Sequence, residues 1–207
     1  MAEPAIVSER MGVVAAMLHG AWRFALISVA SFSVWAFAGR WLKSQAGEGG
    51  LYAACALAFV VLAGLLLAPL VRGPRRILRC YLVFVPAFVA YALAWSACWF
   101  CWPSHLGEWL GAAAGSVFFV VIAAWRFGCP RSDWLREVPL AVAVFFVTHL
   151  LGYLAGGWAM DALVHAGEAH SGMLAWGACY GLGFGAGIGW VFHRQQGEPA
   201  MRSPLQP

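Results

Sequence analysis

Six apolar stretches, each about as long as a membrane-spanning helix, recur along the 207-residue chain. Five of them, 17–20 residues long, contain no Asp, Glu, Lys or Arg, and the sixth has an arginine only next to each end. About 20 helical residues cross the roughly 30 Å hydrocarbon layer of a bilayer, so each stretch is long enough to span it. The pattern therefore predicts an all-α integral membrane protein, a bundle of six transmembrane helices at residues 22–41, 51–70, 81–100, 109–125, 138–157 and 174–192.

The composition excludes a water-soluble domain. Hydrophobic residues make up 62% of the chain and charged residues 11%, against roughly 45–50% and roughly 25% in soluble domains. The net charge of +4 comes from local clusters between the apolar stretches. It therefore does not indicate a nucleic-acid-binding surface, and the expected surroundings are the lipid bilayer.

The basic residues lie mostly on one side of the predicted membrane. Eleven of the 13 fall in the two termini or in the second and fourth loops, and the other two fall in the first loop. Positively charged loops stay in the cytoplasm, so both termini are predicted to be cytoplasmic in a bacterial-type inner (plasma) membrane. Four arginines of the second loop are predicted to contact anionic lipid headgroups on that side: Arg72, Arg75, Arg76 and Arg79.

The chain divides into three parts on this interpretation. Residues 1–21 show apolar positions at helical spacing and are expected to form an amphipathic cytoplasmic lead, or else a frayed one. Residues 22–193 form the six-span membrane domain. Residues 194–207, with three prolines, are expected to be a disordered cytoplasmic tail.

Glycines recur at helical spacing in the last three spans. In lipid, close backbone approach drives helix association, so such stripes indicate tight packing. We expect spans four, five and six to pack together through them, with a homo-oligomer or another membrane protein as the alternative partner. The glycines are Gly111 and Gly115, Gly152 and Gly156, and Gly177, Gly181, Gly185 and Gly189.

Several potential metal ligands lie between the third and fourth spans and between the fifth and sixth. The predicted topology places both groups on the outer side of the membrane. Their spacing, Cys-x2-Cys-x3-His and His-x2-Glu-x-His, is acceptable for a metal ion. The alternative is that the thiols fill space in the helix and the other groups are solvated in the loops. The candidates are Cys98, Cys101, His105, Glu108, Asp161, His165, Glu168 and His170.

His149 is the one titratable side chain near mid-bilayer apart from thiols and tyrosines. Ionisable residues inside a membrane are candidates for function. No other span carries a histidine that would complete a haem site. The sequence favours a neutral packing histidine, hydrogen-bonded to Tyr180 or Tyr91 and followed one turn later by Tyr153.

No catalytic residue is identified by these patterns, and no cofactor is implied beyond a possible metal ion. The leading hypothesis is a polytopic membrane protein without enzymatic activity, acting as an assembly, accessory or small-solute component. The alternative is a membrane enzyme or metal-handling protein that uses the outward-facing Cys, His and acidic groups.

Overall fold

The computed structural model describes residues 11–196, which are helical apart from short turns and contain no strand. The first helix continues through a π-helical turn into the second without a break in the helical path. Short 3₁₀ turns, Ala68–Leu70 and Arg131–Asp133, precede the third and fifth helices. The elements are α1 (Val13–Ser33), the π-helical turn Val34–Ala38, α2 (Gly39–Leu66), α3 (Arg76–Cys101), α4 (His105–Phe127), α5 (Trp134–His165) and α6 (Ala169–Gln195).

Gly47 divides α2 and reverses the chain direction. Its φ of 67° and ψ of −172° are not helical, and a positive φ is accessible to glycine because it has no Cβ. The segments before and after Gly47 lie side by side. The Ser31 hydroxyl donates to the Cys55 carbonyl (3.0 Å) and Arg23 donates to the Leu66 carbonyl (2.9 Å). The first 54 helical residues are therefore two antiparallel legs.

The helices contact one another in chain order and form a ring. Each packs against the next along the chain, and α6 closes the ring by packing along α1. The closest pairings are α6 with α1, α6 with α5, and α3 with α4. We call the end with Gly47, residues 102–104 and residues 166–168 the upper end. The end with residues 67–75, residues 128–133 and Gln195 is the lower end.

Four segments are long and apolar enough to cross a membrane: Val13–Leu66, Arg76–Cys101, His105–Phe127 and Arg131–His165. The first of them contains both antiparallel legs, and thus two of the six stretches predicted from the sequence. Helix α6 is not among the four. Six glycines between positions 177 and 189 replace the larger apolar side chains that would raise its hydropathy.

Phenylalanines from the ring of helices fill its centre. Phe184 of α6 is fully buried, with ring centroids of Phe24 and Phe145 at 5.0 and 4.8 Å. Phe119 stacks on Phe145 at 4.7 Å, and Phe84 closes the cluster from α3. Such offset and edge-on aromatic contacts add to the stabilisation from burial. The core is thus shared by α1, α3, α4, α5 and α6.

The glycines of α6 face α1 and α5, not α4. A Cβ on Gly181 would lie 2.6 Å from the Cα of Ala25 in α1, and one on Gly152 would lie 2.6 Å from the Cys179 carbonyl oxygen. Gly177, Gly185 and Gly189 likewise meet α1, and Gly156 meets Trp176 of α6.

The glycines of α4 face α3 instead. Gly111 meets Trp95 and Gly115 meets Tyr91. Spans five and six thus pack together as expected, but span four packs mainly on α3, and α1, which the expectation omits, contacts α6 as extensively as α5 does. The physical reason is that α1 presents a complementary face of small residues: Ala16, Gly20, Ala25 and Ser28.

The helical bundle includes residues on both sides of the segment 22–193 that the sequence assigns to the six-span domain. At the amino end, residues 13–21 belong to α1, and Ala16 and Gly20 are buried against α6. Residues 1–10 of the predicted lead lie outside the described residues. At the carboxyl end, Gln195 and Gln196 are buried, and the Gln196 amide donates to the Leu70 carbonyl (2.8 Å). The first residues of the expected tail are therefore packed against the bundle, and residues 197–207 lie outside the described part.

Candidate functional site

A cavity of about 340 Å³ lies among α1, α2, α3, α5 and α6 in the upper half of the bundle. We call it the upper cleft. Nine of its fourteen lining residues are Phe, Tyr or Trp, and none carries a carboxylate, ammonium or guanidinium group. The lining residues are Phe32, Tyr52, Cys55, Ala56, Phe59, Phe88, Tyr91, Ala92, Trp95, Ser96, His149, Tyr153, Trp176 and Tyr180.

Below the cleft, the lower halves of α2 and α3 are in close contact. There the Tyr81 hydroxyl donates to the Val61 carbonyl (2.7 Å), and the Tyr81 ring occupies the space beside Gly64. Above this contact the cavity separates the two helices. Tyr52 on α2 is 68% exposed, whereas His149 on α5 is 1% exposed. The cleft thus runs from an exposed rim on α2 to a buried base on α5.

Tyr91 and His149 form a buried polar pair at this base. The Tyr91 hydroxyl oxygen lies 2.9 Å from Nε2 of His149. The second ring nitrogen, Nδ1, is buried and has no hydrogen-bond partner within residues 11–196. A buried polar atom without a partner is costly. The imidazole therefore retains one unused hydrogen-bonding position beside the cleft.

Aromatic rings surround the His149 imidazole. Tyr91, Tyr180 and Phe184 present edge-on contacts with ring centroids at 5.4, 5.6 and 5.4 Å. Tyr153 lies one turn further along α5 at 6.3 Å. The hydrogen bond that the sequence left open between Tyr180 and Tyr91 thus goes to Tyr91, while Tyr180 and Tyr153 contribute ring contacts and cleft wall.

The Cys, His and acidic residues of the upper end do not converge. Within residues 11–196, no three such side chains are arranged to hold a metal ion. His105 Nδ1 pairs with Glu108 of the same turn (3.2 Å), and His165 Nδ1 donates to the Asp161 carbonyl (2.7 Å). His170 stacks on Phe37.

The remaining upper-end candidates have local environments as well. Glu168 accepts from the Ser171 hydroxyl (3.2 Å), and Cys98 and Cys101 are free thiols. The sequence spacing that suggested a metal site therefore brings candidate ligands together only within single turns of the chain. It does not bring the candidates of different turns together.

The four arginines of the second loop lie at the lower end in two environments. Arg75 and Arg76 are exposed, and Arg75 adopts a positive φ of 53° where α3 begins. Arg79 donates to the Arg72 carbonyl (3.0 Å) and lies over the Phe127 ring. The Arg72 backbone amide donates to the Gln196 side chain (2.6 Å). The lower end is therefore bound together by backbone and side-chain hydrogen bonds.

Two further features lie at the lower end. Arg194 and Glu137 form an ion pair with contacts down to 2.7 Å, which ties α6 to α5. Burial, followed by the nearby Asp133 and Glu137 carboxylates, raises the pKa of the Cys129 thiol above its usual value. This thiol is accordingly held in its neutral form at physiological pH.

Sequence reasoning missed most of the cleft wall. Phe32, Trp95 and Trp176 come from three helices that are distant in sequence, and their type is equally common in lipid-facing positions. One signal was present: Phe88, Tyr91 and Trp95 recur at a spacing of three and four residues and so share one face of α3. With His149 already singled out, this aromatic face was the available indication of a neighbouring site.

The chain matches no known family model, no curated protein and no solved structure.

Proposed function

We propose that this chain is a six-span integral membrane protein that binds a small apolar molecule in the upper cleft without covalent chemistry. In the terms of the sequence-based hypothesis, it is a small-solute membrane component. The observation that carries the proposal is the cleft itself, which offers about 340 Å³ of space with aromatic walls. Ligand pockets commonly occupy 300–1,000 Å³ and are mostly apolar with a few polar groups.

Two features support the six-span count within this proposal. Gly47 divides the first 54 helical residues into two antiparallel legs, each able to contribute a span. Helix α6 has 27 residues and runs along both α1 and α5, with glycines in close contact on both sides. Its length of about 40 Å exceeds the hydrocarbon thickness.

The charge distribution supports an orientation with the lower end in the cytoplasm. This places Arg75 and Arg76, both exposed, at the level of the cytoplasmic headgroups. We propose that they attract anionic lipids there. The upper cleft then lies in the outer half of the membrane, where apolar molecules dissolved in the bilayer have access to its rim.

The test uses 1,2,4,5-tetramethylbenzene as an apolar probe and two alanine-to-phenylalanine variants of α3. Ala92 lines the cleft, whereas Ala97 is exposed on the same helix and does not. A ligand that binds only the folded protein raises its melting temperature by mass action. We expect saturable stabilisation of the parent and of Ala97→Phe in detergent, and its loss in Ala92→Phe.

The matched variant controls for effects of the probe on the micelle, which act on all three proteins alike. Equal stabilisation of Ala92→Phe and Ala97→Phe would contradict binding in the cleft. Absence of saturable stabilisation in the parent would contradict the proposed function as a whole.

A further inference from the structure

The hydrogen-bonding capacity at the base of the upper cleft defines the ligand more closely. The Tyr91 hydroxyl and the neutral His149 imidazole together carry two polar hydrogens, and one of these forms the 2.9 Å hydrogen bond between them. A phenol hydroxyl is the better donor and an unprotonated imidazole nitrogen the better acceptor, so we assign Tyr91 as the donor to Nε2. The hydrogen of the neutral imidazole then lies on Nδ1, where it has no acceptor among residues 11–196.

With this assignment the Tyr91–His149 pair is left with one unsatisfied donor, the N–H at Nδ1. The fact that Nδ1 has no partner within residues 11–196, although its residue is 1% exposed, shows that the protein does not satisfy it. A ligand oxygen that accepts one hydrogen bond would remove this deficit. A carbonyl oxygen is an acceptor that brings no donor hydrogen of its own.

The walls of the cleft favour a flat body for this ligand. Phe59 and Phe88 lie with their ring centroids 5.6 Å apart on one side. On another side Phe32 and Trp176 meet edge to face at 5.2 Å. Aromatic rings bind other flat rings through offset stacking and edge contacts.

The volume fits the same class of ligand. An apolar protein cavity of about 150 Å³ is sufficient to bind benzene. The upper cleft, at about 340 Å³, therefore has room for a six-membered ring together with its substituents.

We infer that the upper cleft binds a flat, carbonyl-bearing ring of the quinone or cyclic-ketone type, with the ring between the aromatic walls and its carbonyl oxygen at the Tyr91–His149 pair. This rests on the proposed function and names its ligand class. No electron or proton transfer to the ligand is part of the inference. The exposed rim at Tyr52 leaves space for a ring substituent, such as an apolar tail, to extend toward the bilayer.

The test compares two probes that differ only in their oxygens: tetramethyl-1,4-benzoquinone and 1,2,4,5-tetramethylbenzene. Full substitution of the quinone ring protects it from attack by the Cys55 thiol in the wall. Dissociation constants, expressed as mole fractions in the micelle, come from the dependence of melting temperature on probe concentration. We expect the parent to bind the quinone about five- to tenfold more tightly, as one hydrogen bond to an otherwise unsatisfied donor would give.

Two variants locate the oxygen. His149→Phe is expected to lose the preference for the quinone over tetramethylbenzene. Tyr81→Phe, which removes a hydroxyl from the lower half of the bundle and not from the cleft wall, is expected to keep this preference. A preference that survives in His149→Phe would overturn the assignment to the Tyr91–His149 pair.

The outcomes for the parent distinguish this inference from the proposed function and do not require any variant to fold. Equal affinity for the two probes would overturn the carbonyl class while leaving an apolar binding site. Binding of neither probe would overturn both. A preference for the quinone that survives in Ala92→Phe, in which the cleft is filled, would place the quinone elsewhere and overturn the inference.

Discussion

The hydrogen bond between Tyr91 and His149 is the residue-scale feature on which the site depends. Removing either partner alone leaves the polar group of the other buried without its hydrogen bond. Removing both leaves no polar group of the pair that needs a hydrogen bond. We expect Tyr91→Phe and His149→Phe each to destabilise the protein, and the double variant to lose less than the sum. In membrane proteins such coupling amounts to about 0.6–1.7 kcal/mol.

The measurement is a double-mutant cycle of unfolding free energies in mixed micelles with increasing denaturing detergent. Tyr81→Phe combined with His149→Phe provides the matched control. Tyr81 bonds to the Val61 carbonyl in the lower half of the bundle and makes no contact with His149. Its coupling with His149 is expected to be near zero. Coupling as small for the Tyr91 pair would show that the 2.9 Å contact contributes nothing to stability.

At the scale of the helix, glycine positions differ in what surrounds them. Gly181 and Gly157 both lie in helices, but a Cβ on Gly181 meets Ala25 at 2.6 Å and one on Gly157 meets nothing within 4 Å. Alanine stabilises an unhindered helix by about 1 kcal/mol relative to glycine. Gly157→Ala is therefore expected to be neutral or stabilising.

Gly181→Ala is expected to have the opposite sign, because α1 and α6 must separate to admit the methyl group. The cost of such overpacking is about 1–3 kcal/mol. Unfolding free energies of the two variants and the parent provide the comparison. A Gly181→Ala protein at least as stable as Gly157→Ala would mean that α1 and α6 do not approach each other as closely as the structure shows.

The sequence allowed the helical class and the apolar segments to be predicted, because each depends on a local run of residues. It did not predict α1 as a partner of α6, since a glycine stripe indicates that a close neighbour exists but not which helix supplies it. Nothing in the sequence around Ala16, Gly20 and Ala25 indicates close packing, and only the structure shows that they face α6. The candidate metal ligands do not lie together for a related reason. The sequence spacing of residues within one turn does not determine the distance between residues of two different turns.

The candidate site was predictable only at one residue. His149 was notable because a titratable group is rare in a membrane helix. Its partner Tyr91 was one of two possibilities that the sequence left open. The cleft itself depends on the separation of α2 and α3, which no local sequence pattern encodes. Gln196 was missed since a polar residue at the end of a chain resembles a solvated tail. In the folded protein its amide satisfies the Leu70 and Phe192 carbonyls.

At the scale of the whole molecule, the two ends of the bundle differ in construction. The lower end is closed by the 67–71 segment, which is buried except at Pro69 and which Gln196 holds against α6. The Arg194–Glu137 ion pair ties α6 to α5 at the same end. The upper half contains the cleft. Under the proposed function, a cleft in only one half of the bundle makes the orientation of the protein in the membrane part of that function.

The orientation is tested with reporter fusions at both ends. Helix α6 ends at Gln195, at the lower end. Gly167 lies in the upper turn between α5 and α6, where its φ of 85° is not helical. A green fluorescent protein that folds only in the cytoplasm is expected to fluoresce when fused after Gln206. An alkaline phosphatase that requires export is expected to be active when inserted at Gly167. The basic residues of the lower end favour this arrangement.

The same fusions also test the number of spans. With six spans the amino terminus and the carboxyl terminus share one side, so a fluorescent protein fused before Met1 is expected to behave like one fused after Gln206. The reversed pattern of activities would contradict the orientation. Opposite behaviour of the two termini would contradict the six-span count. Either the leg that follows Gly47 or the glycine-rich α6 would then not cross the membrane.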